Sequence, residues 1–188
     1  MRRCVVHRPE KMSQRNKLSL TVQYVDTSLA TILTRPLLRR WVGAALTVPA
    51  ELTLRFVAGE EGRSLNRDYR GKDYATNVLT FAYADDADDV DDAEADDLEP
   101  VRADIVFCNE VLQQEAREQG KSVLEHAAHL VVHGVLHAQG YDHENDLEAQ
   151  EMESIETKVL ANLGMPDPYL TKPLPSEQVG GDNSPGAA

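Results

Sequence analysis

Apolar and polar positions alternate along two stretches of this chain, and two further short stretches are rich in apolar residues. A period of two is typical of a strand with one buried face, because successive side chains point to opposite sides of a sheet. Short apolar runs between polar segments are also compatible with strands. We therefore predict four strands, at residues 17–25, 51–57, 78–83 and 101–108.

Five other segments carry signals that are typical of helices. Ser122 and Glu125 have the spacing of a capping box, and Gly140 can take the left-handed conformation that ends the same helix. Thr34 and Pro36 suit the first turn of another helix. Helices are predicted from residue 34 to the residue before Pro49 and over residues 59–70, 109–119, 122–139 and 147–163.

The order of these elements, β-α-β-α-β-β-α-α-α, predicts an α+β fold with a small mixed sheet of four strands flanked by helices. The length of 188 residues suits one hydrophobic core and one domain, at residues 18–170. Residues 1–17 are predicted to be a disordered basic extension, and residues 171–188, rich in Pro, Gly and Ser, a disordered tail. Residues 85–99 cannot bury apolar surface and are predicted to be a mobile, solvated loop within the domain.

Charge is distributed unevenly along the chain. The formal net charge is -13, but residues 85–99 alone contain ten acidic and no basic residues. Residues 1–72 carry 14 Lys and Arg against 6 Asp and Glu, a net charge of +8. A basic half can attract a polyanion such as RNA, although surface charges that only maintain solubility give the same pattern.

The sequence also bears on the cellular compartment. No apolar run reaches the roughly 20 residues that cross a bilayer, so no membrane partner is expected. The N-terminus lacks the apolar core of a signal peptide. Cys4 and Cys108 form neither a spaced metal pair nor a disulfide framework. A reducing, cytoplasmic location is therefore expected.

Five of the six histidines fall within residues 126–143. His133 and His137 are four apart on the predicted helix, so their rings lie one turn apart and can reach one ion. The helix ends at Gly140, and the chain reverses so that His143 can supply a third nitrogen. The spacing predicts a metal site formed by these three histidines.

Three neutral imidazoles suit one Zn²⁺ ion and leave its fourth position open for water or substrate, as in catalytic zinc sites. Asp142 can orient the ligand imidazoles through hydrogen bonds. Asp142 and His129 are also candidates for the general base. Because three ligands complete a minimal site, His126 and His129 are predicted to be packed or solvated residues and not ligands.

The spacing of the three histidines matches the metzincin protease pattern, so the site is zincin-like. That pattern requires a glutamate general base directly after the first histidine. Here the position is Gly134. A metallopeptidase of this type would lack its base, so different chemistry is predicted on a similar metal scaffold.

The run from His133 to His143, HGVLHAQGYDH, resembles the signature of the YbeY family, His-Gly-x-Leu-His-x-x-Gly-Tyr-Asp-His. Upstream, the Asn-x-x-Tyr-Arg motif ending at Arg70 and the segment at residues 76–81 are also similar to that family. Asn77 and Thr80 replace the commoner Asp and Ser of that segment. The resemblance covers about residues 18–170.

This resemblance implies a metal-dependent, single-strand-specific endoribonuclease of ribosomal RNA maturation, acting at the 3′ end of small-subunit rRNA and in ribosome quality control. It implies that the partners are single-stranded RNA or rRNA, and the ribosome or its small-subunit proteins. It also implies that zinc is held by His133, His137 and His143. The family's important arginine corresponds to Arg70, which with the three histidines would form the catalytic set.

A physical role for Arg70 is consistent with this, because a guanidinium can bind the negative charge that develops on a phosphodiester during cleavage. Arg63 and Arg67 are possible contacts to the RNA backbone, although a solvated helix face explains them equally well. Two rival functions stay open, namely a non-catalytic assembly factor stabilised by zinc and, less favoured by Gly134, a metallopeptidase.

Overall fold

The structure, a computed structural model, describes residues 17–83 and 100–170. The predicted basic extension (except Lys17), the acidic loop and the tail lie outside the described residues. Within the described parts of the chain, no helix is long and apolar enough to cross a membrane.

Four strands form one mixed sheet in the order β1-β2-β4-β3. The first three strands in that order run parallel, and the edge strand β3 runs antiparallel to β4. The predicted fold class, an α+β domain with a small four-stranded mixed sheet, is confirmed. The strands are β1 (Leu18–Tyr24), β2 (Ala50–Val57), β3 (Val78–Tyr83) and β4 (Val101–Cys108).

Five helices flank the sheet, and their order along the chain is the predicted one. The capping box is present, because Ser122 Oγ accepts from the backbone N–H of Glu125 and the Glu125 carboxylate accepts from that of Ser122. The helices are α1 (Arg35–Ala45), α2 (Gly59–Arg70), α3 (Asn109–Glu118), α4 (Val123–Ala138) and α5 (Asp146–Asn162).

The main hydrophobic core lies between one face of the sheet and the helices α1, α4 and α5. Trp41, Phe56, Phe107 and Leu136 are all fully or almost fully buried in this core. Alternate residues of the strands point to the other face, where Val106 joins a smaller cluster with Val57, Leu79 and the α2 residue Leu65. Helix α4 therefore packs against the sheet on one side and other helices on the other.

Gly134 marks a very close approach between α4 and the sheet. A Cβ atom built on this glycine would lie 2.7 Å from Ile105 Cγ2 and 3.3 Å from Thr80 Oγ1. Ile105 is fully buried on β4, so it has no open space into which to move. This contact fixes α4 beside the edge strand β3, and it places the histidine face of the helix along that edge.

Candidate metal centre

Helix α4 carries two of the predicted ligands, and the turn after it carries the third. His133 and His137 lie in its last two turns, and their ring centroids are 4.5 Å apart. Gly140 has a φ of 87°, in the left-handed region, and its N–H donates to the carbonyl oxygen of His137. The chain therefore leaves the helix sharply, as predicted, and returns towards it.

The return brings His143 to the other two rings. Its ring centroid lies 5.5 Å from that of His133 and 5.0 Å from that of His137. One ligand nitrogen from each of the three residues lies within 4.8 Å of the others. The structure thus brings together the three histidines named from the sequence, with His133 and His137 half-buried and His143 exposed.

Two hydrogen bonds determine which nitrogens are free to bind an ion. Nδ1 of His137 lies 2.9 Å from the carbonyl oxygen of Tyr141, which can only accept, so Nδ1 carries the proton. Nδ1 of His133 lies 2.8 Å from the carboxylate Oε1 of Glu156, which fixes the same tautomer. In neutral rings, the lone pairs are therefore on the Nε2 atoms.

These two Nε2 atoms face each other at 3.1 Å. Zinc–nitrogen bonds of about 2.0–2.1 Å in a tetrahedral site place two ligand nitrogens about 3.4 Å apart. Burial lowers the pKa of His137, and His133 and His143 lower it further, which favours the neutral, ligand-competent ring. The residues present therefore fit a zinc ion with three nitrogen ligands.

A buried carboxylate that the sequence reasoning did not single out lies behind the trio. Glu156 of α5 is fully buried and accepts hydrogen bonds from His133, from Nε2 of His129 at 3.0 Å and from the hydroxyl of Tyr169. Burial by itself raises the pKa of Glu156, but these three donors lower it to about 2, so the group is ionised. Burial and the Glu156 carboxylate also raise the pKa of Tyr169.

His129, His133 and Glu156 form a second group whose ligand atoms are close enough for a metal. The geometry favours hydrogen bonding over metal binding in this group, because His133 and His129 each turn one ring nitrogen towards the ionised Glu156 carboxylate. A ring that donates Nδ1–H to Glu156 keeps Nε2 free for the trio. His129 thus belongs to the network around the ligands, and its Nε2 is already engaged.

His126 lies in a separate network on the same helix face. It is 2% exposed, and its Nε2 lies 2.8 Å from Oε2 of Glu115 on α3. The side-chain amide of Asn77 donates to the same Oε2 at 2.9 Å. His126 is thus a packed residue outside the trio. Asp142, the other residue named beside the ligands, accepts the backbone N–H of His143 at 2.8 Å and so shapes the turn.

Arg70 lies outside the metal centre. It is the last residue of α2, is exposed, and within the described parts of the chain has no hydrogen bond or ion pair. Its neighbour Tyr69 packs edge-on against Phe81 of β3, with ring centroids 4.9 Å apart. On the opposite face of β3, Thr80 Oγ1 lies 3.5 Å from the carbonyl oxygen of Gly134. Tyr69 and helix α4 therefore contact opposite faces of the edge strand β3.

The other two arginines of this helix have acidic partners. Arg63 forms a two-pronged ion pair with Asp73, with bonds of 2.8 and 2.7 Å. Arg67 lies 3.3 Å from Asp68 and 3.9 Å from Asp73. Arg70 is thus the arginine of α2 whose guanidinium is most available to an external anion.

The chain resembles known proteins over most of its length. The family model described as Endoribonuclease YbeY matches residues 9–164. A protein of Herminiimonas arsenicoxydans named Endoribonuclease YbeY is 62% identical over 157 residues, which are 84% of this chain and 98% of that protein. A protein of the same name from Janthinobacterium sp. (strain Marseille) is 63% identical over 159 residues, or 85% of this chain and 99% of that protein. A solution structure of a protein from Thermotoga maritima is 22% identical to this chain, with a TM-score of 0.45. The match covers 78% of this chain and 91% of the Thermotoga chain.

Proposed function

The chain belongs to the endoribonuclease YbeY family, and on that premise we propose that it is a zinc-dependent endoribonuclease that cleaves single-stranded RNA. Its substrate is ribosomal RNA, at the 3′ end of the small-subunit rRNA, and it acts in ribosome maturation and quality control. Its partners are the ribosome or small-subunit ribosomal proteins, and it works in the cytoplasm.

The observation that carries the metal dependence is the pair of Nε2 atoms of His133 and His137, 3.1 Å apart. Each ring donates Nδ1–H to an acceptor, so the two lone pairs point at each other. Facing lone pairs repel unless a proton or a cation lies between them. With His143 completing the set, one Zn²⁺ ion is the cation that this donor set suits best.

When bound, the zinc ion supplies Lewis-acid chemistry, polarising a phosphoryl oxygen or activating a water. The protein residues orient the ligands and the substrate. Glu156 fixes the ring of His133, and the carbonyl of Tyr141 fixes the ring of His137. The exposed side of His143 leaves the centre accessible to a large substrate such as RNA.

Arg70 binds the phosphodiester of the substrate and stabilises the charge that develops on it during cleavage. A guanidinium presents a planar fork of donors that matches phosphate oxygens. The absence of an ion pair at Arg70 in the described parts of the chain supports this role, since its charge is not already neutralised as that of Arg63 is.

The packing of Gly134 disfavours the rival metallopeptidase. The metzincin general base would have to extend from this position, where even a Cβ would lie 2.7 Å from Ile105. A larger side chain would force α4 away from the sheet. A nuclease needs no carboxylate at that site, so the glycine is compatible with the proposed chemistry.

The test is cleavage of a defined single-stranded RNA by highly purified wild type, His137→Ala, Arg70→Ala and the matched control Arg67→Ala, with zinc content measured on each. We expect wild type and Arg67→Ala to cut, His137→Ala to lose zinc and cutting, and Arg70→Ala to keep zinc while losing cutting by about 100-fold. Equal cutting by all four proteins would identify a contaminating ribonuclease and contradict the proposal.

A second outcome would favour the assembly factor. If wild type binds stoichiometric zinc but cuts neither free RNA nor the RNA of isolated small ribosomal subunits, the catalytic proposal fails.

In cells, a strain that carries only His137→Ala should lose the 3′-end processing of small-subunit rRNA. Normal processing in that strain would remove the ribosomal role, and hydrolysis of peptides by the zinc-loaded protein would point to the peptidase.

A further inference from the structure

A half-open cavity of about 220 Å³ lies along the histidine face of α4, next to the metal centre. Its polar lining consists of Asn77, which directly precedes β3, Glu115, Gln119, His126, His129 and His133. Its volume is several times the roughly 30 Å³ that one water occupies in the liquid, so it has room for a small planar group. Of this lining, only His129 and His133 take part in the metal centre described above.

Glu115 gives the cavity a specific polar group. Both of its described hydrogen-bond donors, the Asn77 amide and His126 Nε2, lie on Oε2, at 2.9 and 2.8 Å. No described residue donates to the other oxygen, Oε1. Hydrogen bonding from His126 lowers the pKa of Glu115, although burial opposes this, so the carboxylate is ionised at neutral pH. An ionised carboxylate that lines a half-open cavity, and that has one oxygen without a described donor, favours a ligand that donates a hydrogen bond.

The remaining walls indicate the shape of such a ligand. Val78 and Leu130 contribute apolar surface, the flat rings of His126 and His129 contribute aromatic surface, and Glu115 contributes an ionised acceptor. The Glu115 carboxylate repels an anionic group such as a phosphate and so favours a neutral occupant. A nucleobase with an exocyclic amino group matches both properties, because its faces are apolar and its amino N–H groups donate to a carboxylate.

We propose that this cavity is a base-binding subsite, in which Glu115 Oε1 accepts a hydrogen bond from the amino group of a nucleotide next to the cleaved phosphodiester. The proposal rests on the ribonuclease function above and adds a specificity to it. Cytosine, adenine and guanine carry an exocyclic amino group, whereas uracil presents a carbonyl oxygen at the corresponding edge of the pyrimidine ring. Cleavage should therefore be disfavoured beside uridine.

The experiment uses zinc-loaded full-length protein and single-stranded RNA oligonucleotides that differ at one nucleotide beside the cleaved bond. Those bearing cytidine, adenosine or guanosine should be cut with kcat/KM about five- to tenfold above that of uridine, the lower part of the range for base discrimination by hydrogen bonds. An oligonucleotide with pyrimidin-2-one, which is cytosine without its amino group, should fall to the uridine level. This substrate change requires no protein variant and so cannot be confused with misfolding.

Glu115→Gln tests the residue itself, because it keeps the size of the side chain and removes its charge. We expect the ratio of cytidine to uridine kcat/KM to fall towards one in this variant, with Glu118→Gln on the same helix as the matched control. Equal kcat/KM for all bases in wild type overturns the subsite while leaving the ribonuclease function intact. A failure of wild type to cut any of the oligonucleotides removes both the ribonuclease function and the subsite, and a discrimination unchanged in Glu115→Gln removes Glu115 from it.

Discussion

His133 donates its Nδ1–H to Oε1 of Glu156 at 2.8 Å, so a carboxylate with no exposed surface orients the ring of a proposed metal ligand. A histidine that is hydrogen-bonded in this way has a fixed tautomer and a more basic free nitrogen, and both effects favour metal binding. Glu156→Gln keeps the shape and removes the charge. We expect zinc affinity to fall by about 10- to 100-fold, measured by competition with a chromophoric chelator.

The matched control for this prediction is Glu153→Gln, an exposed carboxylate on the same helix. It should bind zinc as the wild type does. Circular dichroism of both variants separates loss of the metal from loss of the fold. Wild-type zinc affinity in folded Glu156→Gln would show that the carboxylate does not tune the ligands.

Tyr169 connects the segment after α5 to the same carboxylate. Its hydroxyl donates to Oε2 of Glu156, and its ring packs edge-on against His129 with centroids 5.5 Å apart. Tyr169→Phe keeps the ring and removes one hydrogen bond to an ionised group. Because Tyr169 is 43% exposed, we expect a loss of only about 1 kcal/mol in the free energy of unfolding, determined with urea.

Tyr74→Phe removes a hydroxyl from a tyrosine that is 55% exposed and should leave the free energy of unfolding within about 0.5 kcal/mol of wild type. If Tyr169→Phe is equally neutral, the hydrogen bond to Glu156 contributes nothing net to stability. Zinc affinity should fall less in Tyr169→Phe than in Glu156→Gln, since His133 and His129 still donate to the carboxylate.

Glu115 predicts a pH dependence of stability. Hydrogen bonds from His126 and Asn77 hold its pKa below the usual value, although burial opposes them, and the nearby His129 also lowers it. A depressed pKa in the folded state means that this stabilisation is present above the unfolded pKa of about 4.3 and is lost as the pH falls through the folded pKa. Glu115→Gln should therefore show a shallower loss of stability between about pH 5 and pH 3 than the wild type.

The same titration on Glu118→Gln provides the comparison, because Glu118 is an exposed residue of the same helix. Its unfolding free energy should follow the wild-type curve over this pH range. Parallel curves for wild type and Glu115→Gln would show that the carboxylate is not stabilised in the folded protein. The measurement is urea unfolding at each pH, on protein freed of metal so that zinc release does not contribute.

The elements and the histidine trio could be predicted because their signals are local. Alternation marks β2, the Ser122–Glu125 spacing marks the start of α4, and Gly140 marks its end. The order of strands in the sheet could not be predicted in this way. Strand β4 lies between β2 and β3, and no short-range sequence pattern indicates that pairing. Nor does spacing indicate that Tyr69 and helix α4 contact opposite faces of β3.

Glu156 was missed although the sequence contains a trace of it. It lies four residues from both Met152 and Leu160, which are buried, so it occupies the apolar stripe of α5. An acidic residue in such a stripe is unusual unless it is paired, and this is the signal that could have identified it. Its partners His129, His133 and Tyr169 come from distant parts of the sequence, so their identity required the fold.

Gly134 has a packing role that the sequence could not reveal, and this leads to the last prediction. In an open helix, alanine is favoured over glycine by about 1 kcal/mol. At position 134, however, the added Cβ would lie 2.7 Å from Ile105 Cγ2 in a fully buried part of the core. Overpacking of this kind costs about 1–3 kcal/mol, which exceeds the gain in helix propensity. Gly134→Ala should therefore lower the free energy of unfolding by up to about 2 kcal/mol.

Gly43→Ala is the matched control, because Gly43 lies inside α1 and a Cβ built there meets nothing within 4 Å. It should raise the free energy of unfolding by up to about 1 kcal/mol, the opposite sign for the same chemical change. Urea unfolding of both variants measures the two effects. Stabilisation by Gly134→Ala would mean that Ile105 and Thr80 can move away at little cost, and the steric reason for excluding a longer side chain at this position would no longer hold.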